Sequence, residues 1–209
     1  MFITLEGIEG AGKTSQIPNI KKFLFSCGHT LISTKEPGGT FLGEKIREIL
    51  LDPENKKIPP MSELLLYQAD RAHHIKDVIE PAIKAGKTVI CDRFTDATLA
   101  YQGFARGLDI VEIKMLNKLV TKKIVPDLTI LFDLSPEIGL KRAWKQIDSG
   151  QRSNKETRFE KESILFHEKV RAGYLKILEF EPKRFRIVDA SKSFDNVWNQ
   201  IKSILETYI

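Results

Sequence analysis

Gly7-Ile8-Glu9-Gly10-Ala11-Gly12-Lys13-Thr14 has the G-x-x-x-x-G-K-[ST] spacing whose chemistry is polyphosphate binding. The apolar run Phe2–Leu5 before it reads as a short buried strand. After it, Thr14–Phe25 reads as a helix, with Ile17, Ile20, Phe23 and Leu24 at helical spacing. Strand, glycine-rich turn and helix start make an anion cradle of inward-pointing N–H groups, reinforced by the helix dipole. Lys13 can reach β and γ phosphates, and the Thr14 hydroxyl can hold Mg²⁺. Glu9 is the anomaly, because a carboxylate inside the loop opposes an anion unless it has another task.

Other chemistry-bearing residues follow strand-like runs or share a helical face. Arg93 comes directly after such a run, beside Asp92, and an arginine there can grip phosphate oxygens with two donors. Asp92 either binds Mg²⁺ through water or orients Arg93. Tyr67 and Arg71 are four apart in one helical run, so they project from one face. A ring to stack on a base and a guanidinium to bond its edge would make a nucleobase pocket. The plain alternative is a core tyrosine and a surface arginine paired with Asp70 or Asp77. Thr98 and Gln102 are likewise four apart, and ordinary helix surface is their alternative. A dense polar stretch, Lys141–Lys161 around Asp148-Ser149-Gly150, reads as a mobile flap.

These groups need a scaffold, and the chain supplies one. Its 209 residues, 42% hydrophobic and 29% charged, suit one globular domain spanning 1–209, with a lid segment at about 141–161. Five runs read as strands: Phe2–Leu5, Thr30–Thr34, Thr88–Cys91, Leu128–Leu134 and Arg184–Val188. Helical patterns alternate with them at Thr40–Leu51, Ser62–Ala85, Ile110–Lys123, Glu160–Phe180 and Phe194–Tyr208, with a further helix opening at Ser135-Pro136-Glu137. Thr40 and Ser135 are expected to cap their helices. Alternation of strand and helix implies an α/β fold with a parallel sheet, helices on both faces and right-handed crossovers. Ligands of such sheets bind beyond the carboxyl ends of the strands, so Glu36, Asp92 and the phosphate loop are expected to share one cleft. No signal peptide is expected, nor a membrane helix, since no apolar run approaches the ~20 residues required. Cys27 and Cys91 lack metal-ligand spacing and read as reduced core thiols of a cytoplasmic protein. The net charge of +5 is modest and the Lys and Arg are dispersed, so neither nucleic acid nor membrane is expected as a partner.

Several segments in order go beyond a generic phosphate loop: Phe2–Gly7 running into Gly10–Thr14, then Glu36-Pro37-Gly38-Gly39-Thr40, Leu64–Ala72, Asp92-Arg93-Phe94 and Ala100-Tyr101-Gln102-Gly103. Across essentially the whole chain this set resembles the bacterial thymidylate kinase family of P-loop nucleoside monophosphate kinases. Lys35, where the family usually has Arg, and Ala97, where a small hydroxyl residue is common, depart from its usual pattern. The resemblance implies a three-layer P-loop kinase fold with a five-stranded parallel sheet and a short lid. It implies transfer of the γ-phosphoryl group of ATP to dTMP with Mg²⁺, in a homodimer.

Residue by residue, the resemblance implies that Gly7–Thr14 hold ATP, with Arg142 lying along the adenine. Glu36, Pro37, Arg47, Tyr67, Arg71, Arg93, Thr98, Tyr101 and Gln102 surround dTMP, with Tyr67 on thymine and Arg71 at a thymine carbonyl. Tyr101 lies against the sugar, and Glu9 accepts the 3′-hydroxyl. Thr14 and Asp92 are the metal candidates. Some members follow the acid at position 9 with a loop arginine; Gly10 stands there instead. The neutralising charge must then come from the flap, among Arg142, Arg152 and Arg158. Arg152 is the expected catalytic one, with Lys13, Arg93 and Glu9, while Arg158 pairs with Glu160. Three rivals compete. Another small nucleoside or nucleotide kinase would lack the Glu-Pro-Gly-Gly-Thr and Tyr-Gln segments. A GTPase would carry an Asn-Lys-x-Asp motif. A non-catalytic nucleotide-binding regulator would have lost Lys13, Arg93 or every flap arginine.

Overall fold

The computed structural model describes residues 1–55 and 58–209. Its centre is a sheet of β1 (Phe2–Glu6), β2 (Leu31–Lys35), β3 (Thr88–Asp92), β4 (Leu128–Asp133) and β5 (Phe185–Asp189). All pairings are parallel, in the order β2-β3-β1-β4-β5. β1 lies between β3 and β4, with Leu5 opposite both Asp92 and Ile130. The chain leaves β1 toward one edge and later crosses to the other, so a crevice opens at the carboxyl end of β1. The phosphate loop and the Asp92-Arg93 pair both emerge there.

Alternate β1 residues face opposite layers. Ile3 and Leu5 are buried in one core with Ile20 and Leu24 of α1 (Lys13–Ser26) and Ile201 and Leu205 of α9 (Phe194–Tyr208). Phe2 packs in a second cluster with Ile75, Ile79, Val89 and Phe94. α2 (Phe41–Leu51), α3 (Pro60–His74) and α6 (Ile110–Thr121) are neighbours, and α7 (Pro136–Asp148) and α8 (Ile164–Phe180) complete the framework.

The five expected strands are present within one or two residues, and Thr40 caps α2 by accepting from Gly43 N at 3.0 Å. Several local expectations are corrected. The run read as one helix over 62–85 is α3, a π-helical turn Ile75–Ile79, and α4 (Glu80–Lys84). Pro81 explains the wide turn: it has no N–H and its ring crowds the carbonyl of the preceding turn. α8 starts at Ile164 rather than Glu160, because Ser163 caps it by accepting from Phe166 N and residues 158–161 form a turn before it. Ser135 occupies the cap position of α7, but its hydroxyl makes no capping hydrogen bond. Cys91 is a buried thiol, whereas Cys27, just past α1, is exposed. The segment Thr95–Ala105 is helical throughout: a short α5 (Thr95–Thr98) runs into a π-helical stretch, Leu99–Ala105. That stretch carries Tyr101 and Gln102.

One close approach joins loop and helix. Gly10 has φ +68°, and a Cβ there would collide with the Gly139 carbonyl on α7. A Cβ on Gly139 would in turn press on the Glu9 carbonyl. Two glycines therefore let α7 touch the phosphate loop. Gly139→Val is expected to lower stability by about 1–3 kcal/mol through overpacking, seen as a lower urea midpoint. An unchanged midpoint would mean that loop and helix separate freely.

Candidate active site

The crevice is a cleft of about 870 Å³. The phosphate loop, the Glu36–Gly39 loop, the ends of α2 and α3, the Asp92–Gln102 segment and residues 146–160 surround it. Of the candidate residues, Glu9, Gly10, Ala11, Gly12, Lys13, Thr14, Glu36, Pro37, Arg47, Tyr67, Arg71, Asp92, Arg93, Thr98, Tyr101, Gln102 and Arg152 line it. Gly7 and Ile8 lie behind the loop, where their carbonyls accept from Lys13 Nζ at 2.8 and 3.0 Å. Burial and then the nearby Arg93 weaken the Lys13 ammonium, to a pKa of about 8, against the pull of Asp92, Glu9 and Glu6. The Thr14 hydroxyl donates to Asp92 Oδ2 at 2.9 Å, which brings two hard oxygen ligands together at the start of α1.

Arg93 is the centre of the arrangement. Its φ is +70°, a left-handed backbone that is unfavourable for a non-glycine residue. Three contacts determine it. Arg93 N donates to Leu5 O at 3.0 Å. Phe94 N donates to Glu6 Oε1 at 2.7 Å. Tyr174 Oη accepts from Arg93 Nη1 at 3.2 Å and donates to Glu6 Oε2 at 2.8 Å. Burial, reinforced by Asp96, raises the Glu6 carboxyl to about 7. The outer guanidinium nitrogen, Nη2, donates to Glu9 Oε1 at 3.0 Å, and the group lies 4.9 Å from the Tyr101 ring centroid. Tyr101 Oη also donates to Glu9 Oε1, at 2.6 Å. Burial would raise the Glu9 carboxyl, but Arg93, His167 and Tyr101 hold it well below the ordinary range.

Arg71 is buried, at 1% exposure, so it is neither a surface residue nor a partner of Asp70 or Asp77. Its Nε donates to Glu36 Oε2 at 2.8 Å, Nη1 to Asn117 Oδ1 at 3.0 Å, and Nη2 to Phe94 O and Thr98 Oγ1 at 3.1 and 2.8 Å. Five donors minus these four leave one Nη1–H. The other oxygen of Glu36 contacts His74 Nδ1 at 2.9 Å, so Glu36 supports Arg71 with both oxygens engaged. Gln102 Nε2 donates to Glu63 Oε1 at 2.7 Å. Tyr67 borders the same end of the cleft, with burial pushing its phenol pKa up.

The flap arginines separate. Arg152 contacts Glu160 Oε1 at 2.5 Å and donates to Glu156 O at 3.3 Å. Arg47 grips Glu156 with two donors at 3.0 and 2.7 Å and also bonds Pro37 O. Arg158 does not pair with Glu160. It is buried against the Leu50 carbonyl and Glu63, because its side chain turns beneath the flap toward α2 and α3. Arg142 lies outside the cleft lining and donates to Ala190 O and Ser191 O at 2.7 and 3.1 Å. Sequence reasoning passed over Asn117, Gly139, Glu156 and His167. None sits in a motif, and each matters through a partner distant in the chain.

A family model described as "Thymidylate kinase" matches residues 5–201. A thymidylate kinase of Desulfosudis oleivorans is 56% identical over 190 residues, 91% of this chain and 89% of its own. One of Desulfovibrio desulfuricans is 47% identical over 209 residues, covering all of this chain and 96% of its own. A crystal structure of thymidylate kinase from Ehrlichia chaffeensis superposes with a TM-score of 0.77 at 31% identity, covering 99% of this chain and 98% of that one.

The buried lysine gives a signed expectation. A polyanion on the loop favours protonated Lys13, so binding takes up a proton wherever the free ammonium, near pKa 8, is partly neutral. Affinity for ATP is expected to fall as pH rises through about 8. Calorimetry in buffers of different ionisation enthalpy would register the uptake; its absence would place the charged form already in the free protein.

Proposed function

The chain belongs to the thymidylate kinase family, enzymes that phosphorylate dTMP to dTDP, and from that premise we propose how its residues carry the transfer of the γ-phosphoryl group of ATP. The supporting observation is convergence. The phosphate loop and the Tyr67–Arg71 end open into one cleft, with Arg93 between them.

The acceptor is a phosphate monoester with a second pKa near ~6, already largely ionised at neutral pH. No general base is needed. The barrier to overcome is repulsion between two polyanions, so catalysis is alignment and charge neutralisation. Gly7–Thr14 cradle the triphosphate, and Lys13 exchanges the Gly7 and Ile8 carbonyls for β and γ oxygens. Arg142, beside Ala190 and Ser191, flanks the adenine. Thr14 and Asp92 suit Mg²⁺, since both offer oxygen and already touch. When bound, the ion screens phosphate charge.

Thymine enters between Tyr67, Thr98 and Gln102, and the free Nη1–H of Arg71 meets a carbonyl. Tyr101 closes the sugar site against a 2′-hydroxyl, and Glu9 accepts the 3′-hydroxyl. Arg93 grips the acceptor phosphate, and Arg47 joins it by releasing Glu156. Residues 141–161 act as the lid of a single domain and exclude water. Within it Arg152 leaves Glu160 for the transferring phosphoryl group. The enzyme works in the cytoplasm.

The same reading includes a homodimer. Phe41, Leu42 and Ile49 on α2, Leu65 on α3, and Val111, Met115 and Leu119 on α6 are all exposed, Phe41 at 84% and Leu119 at 73%. α3 packs against both α2 and α6, and exposed apolar side chains on adjoining helices favour a partner.

Arg152→Ala is expected to lower kcat by about 10³-fold with little change in the KM for ATP, in steady-state assays. A larger kcat loss in Arg142→Ala or Arg158→Ala would assign the role elsewhere; Arg158→Ala should chiefly lower stability. Leu119→Glu is expected to convert a dimer to monomer in sedimentation equilibrium. A monomeric wild type would remove the dimer.

A further inference from the structure

His167 lies on α8, fully buried, between two segments of the proposed site. Its Nε2 is 3.0 Å from the Phe159 carbonyl, at the end of the flap. Its Nδ1 is 3.2 Å from Glu9 Oε2 in the phosphate loop, an ion-pair contact without the alignment of a hydrogen bond. The Phe159 carbonyl can only accept, so Nε2 carries a hydrogen. Glu9 accepts from Arg93 and Tyr101 through Oε1, and those donors favour its ionised form; a carboxylate beside Nδ1 favours a hydrogen on that nitrogen as well. Both ring nitrogens lie beside acceptors, an arrangement that favours the doubly protonated ring. Burial would lower its pKa, but the Glu9 contact, the Phe159 carbonyl and Glu160 raise it. The Phe166 ring packs edge-on beside it at 5.5 Å.

We propose that His167 is a positioning residue for sugar recognition: it clamps the Glu9 carboxylate in the orientation that meets the dTMP 3′-hydroxyl and ties that orientation to the Phe159 end of the flap. The inference rests on the reading of Glu9 given above. Without His167, Glu9 Oε2 would lose the ion-pair neighbour beside it while the carboxylate of Glu160 stands nearby. The group would then be free to turn away from the hydroxyl. The preference for a 3′-hydroxyl would thus depend on a residue that never touches the nucleotide.

The test compares kcat/KM for dTMP and for 2′,3′-dideoxythymidine monophosphate in the wild type and in three variants. The wild type is expected to prefer dTMP. His167→Gln and His167→Phe are expected to lose roughly tenfold of that preference, the scale of one hydrogen bond to a charged group. The loss should fall in the KM for dTMP, with the KM for ATP unchanged. His167→Asn, whose amide nitrogen overlays Nδ1, is expected to keep most of the preference. Equal use of both nucleotides by the wild type would overturn the Glu9 reading itself. A wild-type preference that survives intact in His167→Gln, or an equal loss on both substrates, would overturn the His167 proposal alone. A ¹⁵N imidazole spectrum of the unsubstituted protein at neutral pH gives a check that needs no folded variant. A doubly protonated His167 ring is expected, and a neutral ring would overturn the link between Glu9 and Phe159.

Discussion

The cleft concentrates positive charge, and each guanidinium in it must be kept apart from its neighbours. In this protein each cleft guanidinium is paired with a carboxylate: Arg93 with Glu9, Arg47 with Glu156, Arg152 with Glu160 and Arg71 with Glu36. Buried pairs of this kind contribute little net stability, because desolvation offsets most of the attraction. Their effect is positional. Each carboxylate fixes where a guanidinium points, and the ligand then competes with a protein anion instead of ordering a loose side chain.

The pairs differ in how readily they open. Arg71 and Glu36 are almost fully buried, at 1% and 2% side-chain exposure, and further held by Asn117, Thr98 and His74. That end of the cleft is a rigid socket. Glu156 is 32% exposed in its pair with Arg47 and sits in a short turn, Asn154–Glu156. Arg152 is 29% exposed. Solvent reaches Glu156 and Arg152, so these pairs open more readily than Arg71–Glu36, although Glu160 itself is buried at 1% side-chain exposure. Rigidity at the Arg71 end and more exposed ion pairs at the Arg47 and Arg152 end would suit a site in which one ligand is recognised before the other reacts.

Arg93 shows how strain and support go together. Its left-handed backbone costs of order 1–3 kcal/mol. The Glu6 carboxylate, reaching Phe94 N and Tyr174 Oη, keeps the strained geometry by satisfying polar groups on both sides of it. Glu6 is the last residue of β1, and its place in the strand gives no hint of its partner. Only its pairing with a segment 88 residues away gives it meaning.

How much was legible follows from distance along the chain. The phosphate loop, the Thr40 cap and the strand–helix alternation were readable because each depends on hydrogen bonds or periodicities within a few residues. Expectations failed where a local cue met a further constraint: Pro81 widening a helix, Ser163 delaying α8, Arg158 reaching Glu63 rather than Glu160.

By itself, the sequence determined the α/β scaffold, the anion cradle and the order of the family's motifs, since these are properties of contiguous residues. Tertiary structure alone decided which carboxylate holds which arginine and which histidine faces Glu9. Arg47 and Glu156 are 109 residues apart, and nothing in either one's neighbours names the other. Their meeting is set by where the sheet order places the ends of β1, β2 and β3, and by the crossing of α8 beneath the loop.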